Sequence, residues 1–331
     1  MRDRNTAATP ATQIFPMNPF EAVITYVLDI DWRYFLELVI NGLTKGSIYA
    51  LISLGYTMVY GIIELINFAH GEIYMIGAFT GLLAAGVLGY FGFPQLAILL
   101  IALVVAVIWC SAYGFTMEKV AYRPLRSAQR LSPLISAIGM SIFLQNYVLL
   151  AQTQDFTRFP NLIPSFEMPG VLAGYFQPTS LVIIISSATL MICLTLFIKF
   201  TRMGKAMRAT AQNRKMATLL GINADVIISM TFIIGSALAA VGGILIACYT
   251  QQITFNIGFI AGIKAFTAAV LGGIGSIPGA MLGGLVLGCC ESIASGYGPS
   301  DYEDMFAFAI LILILIFRPS GLLGKPKVQK V

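Results

Sequence analysis

Glu64, Asn67, His70 and Glu72 fall within nine positions of one another, and His70 is the only histidine in the chain. They sit in the stretch Gly55–Gly81, GYTMVYGIIELINFAHGEIYMIGAFTG, among long apolar runs. Such a group could be an active site, but its catalytic partners are missing. There is no HExxH pair, so zinc hydrolysis of that type is excluded. Any Ser/His/Asp arrangement would have to use His70, and no nucleophile-elbow pattern accompanies it, which sets an intramembrane hydrolase aside. Gly42–Ser47 (GLTKGS) and Met203–Ala206 (MGKA) only resemble a phosphate-binding loop in passing; no GxxxxGK[ST] string exists, so the chain carries no ATPase site of its own. Cys110, Cys193, Cys248, Cys289 and Cys290 lie in apolar runs without metal-like spacing and read as small buried hydrophobes. No metal, cofactor or disulfide framework is expected.

What remains is the question of surroundings. Gly61, Gly71, Gly77 and Gly81 punctuate the stretch. A polar, glycine-broken segment in an oily chain is costly unless it faces protein or a water-filled cavity. The rest of the chain is oily: of 331 residues 58% are hydrophobic and 11% charged, with mean hydropathy +0.85. Soluble domains carry about 25% charged residues, so this composition predicts an all-α, polytopic transmembrane bundle. The formal charge of +5 is a matter of position rather than a nucleic-acid signal.

A hydrocarbon core of ~30 Å needs about 20 helical residues. On that measure spans are expected at Phe35–Tyr60, Leu65–Leu88, Gln95–Met117, Leu131–Ala151, Thr179–Phe200 and Val226–Thr250. The shorter glycine-rich pieces Ile257–Leu271 and Ala280–Ala294 form two crossings or a re-entrant pair around Gly272–Gly279, and Met305–Phe317 closes the chain, giving eight or nine spans. Residues 1–30 read as an N-terminal tail, disordered over 1–19 and with a short interfacial helix over Phe20–Ile30; Pro10, Pro16 and Pro19 interrupt any signal-peptide core. The transmembrane body covers 31–324, and 325–331 is a C-terminal tail.

Basic residues collect in Lys119–Arg130, Lys199–Lys215 and Arg318–Lys330, which predicts a cytoplasmic position for all three and for the C-terminus. Gln152–Pro178 and the acidic link Pro299–Asp304 belong outside. Gly61–Gly81 and Gly272–Gly288 echo one another, about four spans apart. Transporters often place broken helices in corresponding halves at the substrate site, whereas small residues also serve plain close packing; both readings stand.

The basic loop Arg202–Asn223, RMGKAMRATAQNRKMATLLGIN, has no proline and favours helix. Met203, Met207 and Ala211 share one face, and Gly221 is expected to stop the helix. It reads either as an ordinary positive-inside loop or as a cytoplasmic helix that docks on another protein.

Asn41–Gly81, with NFAHGE, resembles the first membrane segments of bacterial branched-chain amino acid ABC transporter permeases, in particular the H-type subunit of the leucine/isoleucine/valine importer. Val120–Ser127 (VAYRPLRS), Leu134–Tyr147 (LISAIGMSIFLQNY), Met203–Asn223 and Lys264–Gly284 (KAFTAAVLGGIGSIPGAMLGG) extend the likeness through most of Asn41–Gly324. The 30-odd residues before the first span and the loop Gln152–Pro178 fall outside it. The resemblance implies a bacterial inner-membrane protein paired with a second permease subunit in a heterodimer, with two cytoplasmic ATPase subunits and an external substrate-binding protein. It gives Met203–Asn223 the role of ATPase coupling, through Met203, Gly204, Met207, Arg208, Ala211 and Gly221. The loop lacks the Glu-Ala-Ala start of other ABC permeases.

A branched-chain amino acid needs mostly greasy walls and few polar groups. Asn67, His70 and Glu72 then either line the path or its gate, or pin a broken helix by bonding freed backbone groups. Lys264 and Glu291, in the second glycine-rich region, carry the same two readings, with snorkelling as a further option for Lys264. Permeases of the same family for urea, short amides or other amino acids share these motifs. An autonomous channel or secondary transporter is a different class; the Asn-Pro-Ala pair of aquaporin-like pores is absent.

Overall fold

The computed structural model describes residues 31–126, 128–129, 131–164, 176–299, 302–318 and 320–324. The expected N-terminal tail and interfacial helix, and the C-terminal tail, lie outside these residues.

Eleven helices make up the described chain: α1 Trp32–Ile63, α2 His70–Tyr90, α3 Gln95–Met117, α4 Leu131–Ala151, α5 Pro178–Phe200, α6 Arg202–Gln212, α7 Arg214–Leu219, α8 Ala224–Thr250, α9 Ile257–Gly272, α10 Ile277–Tyr297 and α11 Glu303–Phe317. A π-helical turn, Glu118–Tyr122, extends α3. One two-residue ribbon pairs β1 (Thr157–Arg158) antiparallel to β2 (Gln252–Ile253). Seven helices are long and apolar enough to cross a membrane. At 1.5 Å per residue α1 is about 48 Å long, whereas α9 and α11, with 16 and 15 residues, reach only about 22–24 Å.

The bundle is layered. In α1 and α8, 78% of the most apolar window is buried inside the protein, against 22–28% in α3, α4 and α5. The first two are therefore central, and the last three present apolar faces outward. The centre is held by backbone contact. Gly42 and Gly46 on α1 meet Gly284, Gly288 and Cys289 on α10; a Cβ added at Gly46 would lie 2.9 Å from the Gly284 carbonyl oxygen. Small residues four apart on both helices allow this approach, which lipid alone would not drive.

Both expected breaks exist, but they are made differently. The first is not at a glycine: α1 runs through Gly55 and Gly61 to Ile63, Glu64 turns left-handed (φ 58°), and helix resumes only at His70. Residues 64–69 thus leave the expected span Leu65–Leu88 as a non-helical strap. The second break is glycine-made. Gly273 (φ 104°) and Gly275 (φ 90°) reverse the chain between α9 and α10, a backbone conformation that L side chains rarely adopt. The freed carbonyls of Leu271 and Gly272 accept from the N–H groups of Leu322 and Leu323 (2.8 and 3.0 Å), which ties the end of the described chain to this turn. The two breaks are neighbours, since a Cβ at Gly61 would lie 3.9 Å from the Gly275 Cα.

Candidate translocation path and docking surface

The strap positions three of the expected site residues. Asn67 is buried, and its Oδ1 accepts from the Tyr122 hydroxyl at 2.6 Å. His70 is buried edge-on to Tyr56, with ring centroids 4.9 Å apart. It fits because Gly55 has no side chain: a Cβ there would fall on the imidazole Nε2. Glu72, in the first turn of α2, is fully buried. Its Oε1 accepts from Ser141 Oγ (2.8 Å) and Gln145 Nε2 (3.1 Å) on α4, and a carboxylate suits the positive end of the helix dipole. Asn67 Nδ2, His70 Nε2 and Glu72 Oε2 have no hydrogen-bond partner among the described residues. Asn67, at the end of the strap, and His70 and Glu72, at the start of α2, together meet α1, α4, α8, α9 and the π-helical turn.

Lys264 and Glu291 belong together. Lys264, on α9, does not snorkel; its side chain is 8% exposed and its Nζ lies 2.8 Å from Glu291 Oε1 on α10, 2.7 Å from Asp304 Oδ1 and 3.8 Å from Glu303 Oε1. Lys45 of α1 pairs with the same Glu303 at 2.9 Å, and the Tyr49 hydroxyl donates to Glu291 Oε1 at 3.0 Å. Sequence reasoning took Glu303 and Asp304 only as an acidic link and missed Lys45 and Tyr49, because the pairings join residues 27 to 258 positions apart. Lys264 also lines a cavity of about 300 Å³ with Tyr49, Tyr74, Ile246, Ile257 and Ala261, whose mouth carries Phe156, Thr250, Gln252 and Thr254. That mouth is beside the β ribbon, at the end of the bundle opposite the basic loops.

At the basic end, the loop between α5 and α8 is two helices rather than one. The break comes at Asn213, whose side chain caps Met216 N–H at 3.0 Å; Gly221 (φ 83°) then turns the chain into α8. The inward face of α6 is Gly204, Met207 and Thr210. Met203 is half-buried and Ala211 is exposed, so the expected 203/207/211 face is rotated. The rotation follows from Gly204, which packs directly on the backbone of Ile198 at the end of α5. Arg208 donates to the Ile198 and Lys199 carbonyls, capping α5. What stands free is the apolar side of α7: Met216, Leu219 and Leu220 are 55%, 81% and 75% exposed. The Leu219-Leu220 pair inside a basic loop was the available sequence signal for them.

Asp225, at the start of α8, joins this loop to the end of α3. It pairs with Arg123 (3.0 Å), Arg126 and Arg214 (3.2 Å). Arg126 also meets the fully buried Glu118, whose Oε2 accepts from Ser229 Oγ at 2.7 Å.

Among the described residues the arrangement offers a largely apolar, mouthed cavity with one charged corner at Lys264, and at the other end an apolar, basic-rimmed surface. The family model for the branched-chain amino acid transport system permease component matches residues 38–315. The high-affinity branched-chain amino acid transport system permease protein BraD of Pseudomonas aeruginosa is 52% identical over 305 residues, covering 90% of this chain and 98% of the relative. The corresponding protein LivH of Escherichia coli K12 is 51% identical over 305 residues, covering 91% and 99%. LivM of the same organism, also a permease of that system by name, is 24% identical over 335 residues, covering 93% and 75%. With the family model spanning nearly all of its helical body, the chain belongs to the branched-chain amino acid transport system permease family.

Proposed function

We propose that the chain forms one half of the membrane path of an ATP-driven importer for branched-chain amino acids. A second permease completes the path, two ATPases sit on the basic end, and an external binding protein delivers the solute to the other. The observation that carries the substrate is the end-to-end identity of 51–52% with permeases named for branched-chain amino acids. The weaker likeness to LivM supports a heterologous permease partner. The basic end is cytoplasmic on the positive-inside rule, which puts the C-terminus inside.

Seating of an ATPase is supported by Met216, Leu219 and Leu220, exposed between Arg214, Lys215 and the turn at Gly221. Exposed apolar anchors within a charged rim are what a protein interface uses. Gly204, Met207 and Arg208 hold α6 against the membrane body, and so act as the seat of the docking helix rather than its contact face. Asn67, His70 and Glu72 pin the strap between α1 and α2.

The test is uptake of labelled leucine by vesicles holding the complete assembly, with and without ATP and binding protein. Uptake that needs both supports the reading; uptake by this chain alone, or of urea but not leucine, defeats it. Leu219→Ser with Leu220→Ser is expected to lower ATPase retention on the purified permease about tenfold or more, as loss of two interface anchors at 1–2 kcal/mol each would. Labelling of Leu220→Cys and Gln252→Cys from opposite sides of the membrane checks the orientation.

A further inference from the structure

The charge cluster beneath the cavity is unbalanced. Lys45 and Lys264 supply two ammonium groups, against three carboxylates on Glu291, Glu303 and Asp304. The described cluster is thus one cation short. Glu291 is fully buried and its Oε2 has no hydrogen-bond partner among the described residues, although an unpaired buried carboxylate oxygen is expensive. The cluster is also reachable. Lys264 belongs both to it and to the cavity wall, and Asp304, 2.7 Å from the Lys264 ammonium, is half exposed.

The remaining wall is of a different kind. Ile246, Ile257 and Ala261 are aliphatic, and Tyr74 is aromatic. A volume of about 300 Å³ is at the lower end of small-ligand sites, which run from roughly 300 to 1,000 Å³. One wall is greasy, and at one corner the Lys264 ammonium reaches the cavity with the half-exposed Asp304 carboxylate 2.7 Å behind it. That is the negative image of a zwitterion with an apolar side chain.

We propose that this cavity is a station on the path where the α-amino acid is held by both charged groups, a reading that rests on the amino-acid importer function above. Lys264 takes the α-carboxylate, the half-exposed Asp304 takes the α-ammonium with Glu291 behind it, and the aliphatic wall takes the side chain. Binding exchanges the Lys264–Asp304 pair for two pairs with the ligand, and the incoming ammonium lies beside the carboxylate excess. Because the cluster holds ready-made partners for Lys264, the solute is exchanged rather than trapped. Neutral solutes such as urea or short amides have no use for this corner.

Three variants of the complete assembly test this, scored as leucine moved per ATP hydrolysed. Lys264→Gln and Asp304→Asn are each expected to lower that ratio about tenfold, the scale of losing one partner of a charged contact. The charge-swapped double variant Lys264→Glu with Glu291→Lys keeps an internal ion pair and is expected to stay as low as Lys264→Gln. Recovery of the double variant to within about twofold of the parent would show that the pair only holds the fold, and would overturn the proposal. An unchanged ratio in Asp304→Asn, whose half-exposed side chain makes misfolding an unconvincing excuse, would overturn it too. If the unmutated assembly moves no leucine, the importer reading fails first, before any variant is made.

Discussion

Two glycines on the same helix should respond to the same substitution with opposite sign. Gly71, in the first turn of α2, faces the start of α9. A Cβ placed there would fall on the Gly258 carbonyl oxygen and lie 2.7 Å from the Gly262 Cα. These are backbone atoms, so no side chain can swing aside; α2 and α9 must separate. Overpacking of this kind costs about 1–3 kcal/mol, and rigid neighbours put it near the top of that range. Alanine returns up to about 1 kcal/mol of helix propensity, leaving Gly71→Ala destabilised by about 2 kcal/mol. Gly86, four turns along α2, has nothing within 4 Å of the same added atom. There only the propensity gain operates, and Gly86→Ala should be stabilised by up to about 1 kcal/mol. The gap between the variants is then about 3 kcal/mol, roughly a hundredfold in the unfolding equilibrium. Chemical unfolding of the isolated chain in detergent would measure it. Equal stabilities, or a Gly71→Ala variant at or above Gly86→Ala, would refute the claim that α2 and α9 are in backbone contact at the strap.

Breaking and replacing the Glu118–Arg126 pair should differ. With both side chains nearly inaccessible, Glu118→Gln leaves Arg126 only the half-exposed Asp225 as ionic partner and should cost about 1–3 kcal/mol in the same unfolding assay. Glu118→Leu with Arg126→Met should lie within about 1 kcal/mol of the parent. Tyr122→Phe removes the only donor to Asn67 Oδ1 among the described residues and leaves a buried acceptor unsatisfied, at about 1–3 kcal/mol. Its signature would be faster hydrogen exchange over residues 64–69, and an unchanged exchange rate there would show that the strap is held by other means.

The spans were legible because each is its own signal: about 20 apolar residues cannot be placed elsewhere. The strap was not, because Glu64-Leu-Ile-Asn67-Phe-Ala69 contains neither glycine nor proline and four of its six residues are apolar. What keeps it non-helical acts across the fold, through Tyr122, 55 positions away, and the left-handed turn at Glu64. The glycines beside it drew attention as breakers but serve instead as contact points for α9 and α8. Lys264 and Glu291 were legible as costly residues in an apolar region. Their union with Lys45, Glu303 and Asp304 required knowing that α11 begins against α1 and α9. The docking loop shows the opposite failure: the helix break at Asn213 was written locally, as a capping residue ahead of Arg-Lys-Met, and was masked by the alanine-rich run on either side.

Two breaks, one strap and one ion cluster are connected when followed inward from the exposed face of α7. Arg214, in the helix that presents Leu219, pairs with Asp225. Asp225 pairs with Arg126, and Arg126 with Glu118. Glu118 opens the π-helical turn that ends at Tyr122, and Tyr122 holds Asn67 in the strap. Each link is an ion pair, a hydrogen bond or a single helical turn, so a displacement of α7 has a contiguous physical route to the segment between α1 and α2. The strap lies against Phe266 of α9 through Phe68, and two residues earlier α9 carries Lys264 on the cavity wall. An importer driven from one side must move groups on the other. Here the polar residues that the membrane makes costly are distributed along that route, and the apolar helices α3, α4 and α5 surround it.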